Sequence, residues 1–141
     1  LMSNKTHNAE QRPAKFKPSG ARQHITAGPY SPVLEISARQ LVVISGQVAV
    51  DFDGTRLGDT VEAQTHATLA NCARLLATAG CTFADVFKTN IFLVDLGDWD
   101  AFNVIYEATM PEPLPVRTAI QAGLMPGYLV EVEMWAAKPA E

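Results

Sequence analysis

The sequence predicts a single α+β domain in which one β-sheet carries two helices. Three observations predict it: 141 residues with 48% hydrophobic content, two segments with helical apolar stripes, and β-rich segments before, between and after them. A chain of this length buries roughly 68% of its unfolded surface, enough for a core without disulfide or metal staples. Cys72 and Cys81 form neither a framework nor a C-x-x-C pair, so a reduced, cytoplasmic protein is expected. The longest aliphatic run, Leu41 to Ile44, is far short of the ~20 apolar residues of a spanning helix, and the polar start has no signal-peptide core. No membrane partner is expected.

The folded domain is expected over residues 24–141. It opens on Gly28-Pro29-Tyr30-Ser31-Pro32, where the prolines force turns and extended backbone. Val33 to Ile36 reads as a short strand, and Leu41 to Val50 as a longer one rich in β-branched residues. Gly46 interrupts it and marks a bulge or a close approach of another group. Asp51-Phe52-Asp53-Gly54 is a loop, and Asp59-Thr60 caps a helix that ends at Gly80. Leu69, Cys72, Ala73 and Leu76 form its apolar stripe. Val86 to Val94 is a strand with Lys88, Asn90 and Phe92 on one parity. Asp98 caps a second helix striped by Phe102, Ile105 and Tyr106, and Pro111, Pro113 and Pro115 enforce an extended exit. Val116 to Ala122 and Leu129 to Ala137 are the last two strands. With both helices on one side, the other sheet face would leave Phe92 and Trp135 in water, so self-association is expected.

The net charge of −4 hides an asymmetry. Residues 1–23 carry five basic side chains against Glu10, a balance of +4, and the rest carries six basic against fourteen acidic, a balance of −8. The first 23 residues lack apolar periodicity and read as a disordered basic arm; Leu1, ahead of Met2, reads as a cloning remnant. A body at −8 repels a phosphate backbone, so nucleic acid is an unlikely partner.

The common catalytic signatures H-E-x-x-H, G-x-x-x-x-G-K-[ST] and G-x-S-x-G are absent, and His7, His24 and His66 are scattered, so no metal site is expected. One arginine stands out. Between Lys88 and Lys138 the only cation is Arg117, in an interval holding seven acidic residues. Its flanks are those of a buried strand, so its fork needs a partner. Two partners satisfy it equally: a structural ion pair with Glu131 or Glu133, which share a strand face, or a substrate carboxylate taken bidentately. A carboxylate such as Glu131 near a cation and an apolar wall can also act as a base or orient a water. Tyr30 in its proline-bounded turn and Ser45 beside the bulge are the remaining polar candidates.

Five segments carry a family resemblance: Gly28-Pro29-Tyr30-Ser31, Ile44-Ser45-Gly46-Gln47, Val86 to Asp95, Pro115-Val116-Arg117-Thr118 and Val130-Glu131-Val132-Glu133. In order and spacing they resemble the reactive intermediate deaminase family, RidA or YjgF, over residues 28–137. The resemblance implies a chorismate-mutase-like α+β fold with a mixed sheet, two helices on one face, and a homotrimer with a ligand cleft between subunits. It also implies cofactor-free hydrolysis of enamine and imine intermediates, such as 2-aminoacrylate, to 2-keto acids and ammonia. On that likeness Arg117 grips the substrate carboxylate, Glu131 positions a water, and Tyr30, Ser45, Gly46 and Asn103 line the cleft. Ala119 and Gln121 stand where many members have cysteine and glutamate, and Pro32-Val33 departs from the usual Gln-Ala. A non-catalytic trimer that binds small keto acids is the alternative, with endoribonuclease a weaker one.

Overall fold

The structure, a computed structural model, describes residues 14–138. Its elements are β1 (Lys15–Phe16), β2 (Glu35–Ile36), β3 (Leu41–Gln47), α1 (Val61–Thr78), β4 (Val86–Leu93), α2 (Trp99–Thr109), β5 (Val116–Gln121) and β6 (Val130–Ala137). β1 and β2 form a small antiparallel pair, and the other strands form one mixed sheet in the order β3-β6-β4-β5. β5 runs parallel to β4, whereas β6 is antiparallel to both β4 and β3. The last two strands are therefore not neighbours. The chain leaving β5 crosses to the far side of β4, and a turn held by buried Gln64 makes that crossing. The Gln64 amide donates to the Gly127 carbonyl at 2.9 Å and accepts from the Leu129 N–H at 2.8 Å.

Helix limits follow local chemistry. The Thr60 hydroxyl accepts from the Ala63 N–H at 3.2 Å at the start of α1. Its end is a Schellman turn: Cys81 N–H bonds Leu76 C=O and Gly80 N–H bonds Ala77 C=O, with Gly80 at φ 76° where a Cβ would be strained. Asp98 occupies the N-cap of α2 but its side chain makes no capping bond, contrary to the sequence expectation. A 3₁₀ turn, Leu96–Asp98, runs directly into the helix and supplies the Leu96 carbonyl to Trp99 N–H, while Asp95 caps the turn.

Parity sorts the sheet. Thr89, Ile91 and Leu93 of β4 stand beside Arg117, Ala119 and Gln121 of β5 and beside Met134, Val132 and Val130 of β6. This face buries the core against Leu69, Cys72 and Leu76 of α1 and Phe102, Ile105 and Tyr106 of α2, each fully buried aliphatic contributing about 2 kcal/mol. Lys88, Asn90 and Phe92 share the opposite face with Trp135, Glu133 and Glu131. Among the described residues no helix covers it, and Val43 and Ile120 there are 58% and 46% exposed.

The arm expected over residues 1–23 overlaps a folded segment. Lys15 and Phe16 pair with Ile36 and Glu35, and Lys15 is buried, because its ammonium finds backbone carbonyls. Residues 1–13 of that arm lie outside the described residues. The strand expected over Val33 to Ile36 shortens to Glu35–Ile36, since β1 offers only two residues to pair with. The two cysteines are free and buried, and burial pushes the Cys72 thiol up to about 12, so neither is a reactive thiolate.

Candidate functional site

Arg117 lies on the edge strand β5, on the helix-bearing face, opposite Thr89 in the sheet register. The chain before β5 holds the segment that walls it. Ser31 N–H donates to the Pro115 carbonyl at 3.1 Å and the Ser31 hydroxyl donates to the Leu114 carbonyl. These bonds bring Gly28 and Tyr30 over the guanidinium. A Cβ on Gly28 would stand 2.9 Å from Arg117 Nη2, so any larger residue there would make the fork shift.

The guanidinium sits among three rings. Its Cζ lies 5.3 Å from the centre of the Tyr30 ring, 5.0 Å from Trp99 and 5.1 Å from Tyr106, within cation–π range. Nη1 donates to Asn103 Oδ1 at 2.7 Å. Nη2 is buried and has no hydrogen-bond partner among the described residues. Burial weakens the hold of Arg117 on its proton, and Tyr106 and Tyr30 partly oppose that. The Tyr106 hydroxyl meets Thr89 Oγ1 at 2.9 Å, and burial pushes its phenol up to about 12. It is therefore a fixed neutral wall.

The choice left open by the sequence is resolved against the ion pair. Glu131 and Glu133 lie on the opposite face of the sheet from Arg117. Glu133 accepts from Asn90 Nδ2 at 2.8 Å, and the only ion pair among the described residues is Arg56–Asp59. A charged, buried Nη2 with no acceptor among the described residues is costly.

Glu131 belongs to a second cluster. The strand β3 is bulged between Ile44 and Gln47, and the Glu131 carboxylate packs against Gly46 where a Cβ would overlap it. The close approach expected at Gly46 is this carboxylate. Ser45, exposed beside it, borders a groove of about 370 Å³ between β3 and the last turn of α1, with Leu75 and Thr78 on its far wall. Among the sequence-derived candidates, Tyr30, Asn103 and Arg117 thus meet in one place, and Ser45, Gly46 and Glu131 in another. β4 separates β5, which carries Arg117, from β6 and β3, which carry Glu131 and Ser45–Gly46.

Sequence reasoning missed Gly28 as a spacer, and Trp99, Tyr106 and Thr89 as walls. A signal existed: Trp99, Asn103 and Tyr106 recur at i, i+4 and i+7, one face of α2. Ala119 follows Arg117 on the same face and packs on the core, and Gln121 Oε1 accepts from Leu96 N–H at 3.0 Å, tying β5 to the turn that starts α2. No group of three His, Cys, Asp or Glu able to hold a metal occurs among the described residues, and none of their helices is long and apolar enough to cross a membrane.

Fold and site together define a small α+β protein with a caged arginine at the sheet edge. The chain belongs to the RidA/YjgF family, whose model, described as endoribonuclease L-PSP, matches residues 21–138. It is 37% identical to the mitochondrial protein mmf2 of Schizosaccharomyces pombe over 115 residues, covering 79% of this chain and 89% of that one. It is 37% identical to the 2-iminobutanoate/2-iminopropanoate deaminase of Mus musculus over 114 residues, covering 79% and 82%. Among solved structures it resembles YyfB of Yersinia pestis, a protein of unknown function in the conserved Rid family. The TM-score is 0.75 at 25% identity, over 89% of this chain and 99% of that one.

Proposed function

We propose that the protein is a cofactor-free deaminase that hydrolyses small 2-imino acids, and the enamines that tautomerise to them, to 2-keto acids and ammonia. The observation that carries this reading is the caged Arg117 with its buried Nη2 lacking an internal acceptor. The Mus musculus relative, named for two such substrates, supports it. In this reading the fork takes the substrate carboxylate in two parallel hydrogen bonds, with Asn103 fixing the plane of the fork from behind. The imine carbon is already electrophilic. Water adds to it to form a carbinolamine, a proton passes from oxygen to nitrogen, and the C–N bond breaks to release ammonia. Glu131 is the group proposed to orient the water and carry that proton.

Arg117 and Glu131 face opposite sides of one sheet, so the reading requires two copies of the chain. We infer a homotrimer in which the β3 side of one subunit, with Ser45, Gly46 and Glu131, meets the β5 side of the next, with Arg117, Asn103 and Tyr30. The uncovered sheet face supplies the apolar surface for it. The test is complementation. An imino acid generated by an amino-acid oxidase is trapped with semicarbazide, and deaminase activity appears as a loss of semicarbazone. Arg117→Ala and Glu131→Ala should each be inactive, and unfolding and refolding them together should restore part of the activity, because mixed trimers contain some sites with both groups. Inactive mixtures of correctly assembled protein would refute the shared site. Tight binding of 2-oxobutyrate with no change in semicarbazone yield would make the protein a keto-acid binder instead. RNA hydrolysis fits the charge poorly: beyond the −8 body, Lys88 and Arg74 lie over aromatic rings and Arg56 is ion-paired.

A further inference from the structure

Lys15 is the most deeply buried lysine side chain among the described residues, at 5% exposure, in the most basic part of the chain. Its ammonium donates to the carbonyl of Val86, at the start of β4, and to that of Pro113 at 2.9 Å. The next two carbonyls along the chain are taken as well: Leu114 by the Ser31 hydroxyl and Pro115 by the Ser31 N–H. Three successive carbonyls that lead into β5 are thus held by the first 31 residues. Pro113 and Pro115 have no N–H of their own to anchor this run. Arg117 follows it by two residues, and Gly28 and Tyr30 stand just ahead of Ser31.

We propose that Lys15 is a positioning residue for the Arg117 pocket: its ammonium latches the N-terminal segment to the Pro113–Pro115 run, and so keeps the arginine strand and the Gly28–Tyr30 wall in register. The proposal rests on the carboxylate-pocket reading above. A buried ammonium is an expensive way to fill space. Burial lowers its pKa to about 8 despite the raising influence of Asp85 and Glu112, and an apolar side chain of that length would avoid this cost. What the ammonium supplies, and an apolar side chain cannot, is a pair of donors for two carbonyls, one at the start of β4 and one in the run that leads into β5. The cage is tight, since a Cβ on Gly28 would stand 2.9 Å from Nη2 and displace it, and a small misplacement of a binding group is felt strongly.

The test compares full-length wild type with Lys15→Met, which keeps the stem, and with the milder Lys15→Gln, which keeps donors on a shorter arm. Hydrogen exchange of the Ser31 amide and of residues 116–121 should accelerate about tenfold in Lys15→Met, while residues 130–137 stay protected. The Kd for 2-oxobutyrate should weaken about tenfold, with kcat for imine hydrolysis within a factor of two and Lys15→Gln in between. Uniform acceleration over all strands, or none at Ser31, overturns the latch. So does local loosening with an unchanged Kd. If Lys15→Met does not fold, the same criteria apply to Lys15→Gln. If wild type binds no 2-oxobutyrate, the pocket reading falls, while the exchange pattern still decides whether Lys15 holds the two walls.

Discussion

Replacing Arg117 with methionine should nearly abolish activity while leaving the fold as stable as before. Methionine keeps an unbranched stem among Tyr30, Trp99 and Tyr106. Lost are the bond to Asn103 Oδ1, about 1–2 kcal/mol once the stranded acceptor is counted, and the cation–π contacts, about 1–2 kcal/mol. Regained is the desolvation of a buried charged group with an unpartnered Nη2, about 2–3 kcal/mol, with sulfur–ring contacts adding up to about 1 kcal/mol. The two sides cancel at their midpoints and the sum lies within about 2 kcal/mol of zero, so the Tm should move by less than about 8 °C. An arginine that formed half of a buried ion pair would cost about 3–5 kcal/mol on the same change. Loss of a bidentate grip on the substrate carboxylate is worth about 3–4 kcal/mol, so kcat/KM should fall by a factor of roughly 10² to 10³. Thermal unfolding and the semicarbazide assay, run on the same preparation, check both halves. A Tm lowered by more than about 8 °C would restore the structural role, and activity within about threefold of wild type would remove the functional one.

Gly46→Ala places a methyl group where the Glu131 carboxylate packs, so kcat should drop at least tenfold with the Kd for 2-oxobutyrate little changed; steady-state kinetics and calorimetry separate the two. Tyr106→Phe strands the Thr89 hydroxyl in the core and should lower stability by about 1–2 kcal/mol in urea unfolding. Lys15 gives a pH signature. Its folded pKa of about 8 lies below the ordinary 10.5, so between those values the unfolded chain holds a proton that the folded chain has released. Stability from this group therefore rises with pH across that window, by up to about 3 kcal/mol, and is lost again as pH falls through 8. Subtracting the urea-unfolding curve of Lys15→Met, measured at pH 7.5 and 10, isolates it. A flat difference would contradict the burial.

Most elements were legible because their signals are local. The Thr60 cap, the stop at Gly80 and the alternation in β4 depend on residues a few positions apart. Asp98 misled because capping also depends on what precedes the helix, and the 3₁₀ turn from Leu96 had already supplied the acceptor. Lys15 misled more. Its segment has no apolar period, and its burial depends on carbonyls 71 and 98 residues away, which no local window contains. The walls of the pocket were half visible, since Trp99, Asn103 and Tyr106 share a helix face whose aromatic members also read as core.

By itself the sequence determined the secondary structure, the isolated cation at Arg117 and the family whose motifs surround it. It could not decide what Arg117 faces. That depends on which sides of β4 receive β5 and β6 and in what register, and strand pairing is a long-range outcome of packing. Setting Arg117 beside Thr89, and Glu131 beside Phe92, puts the two on opposite faces, because side chains alternate along a strand. The tertiary structure thereby set aside one of the two partners the sequence left open, an ion pair with Glu131 or Glu133 of the same chain, and left one nitrogen of the arginine, Nη2, buried without an acceptor among the described residues.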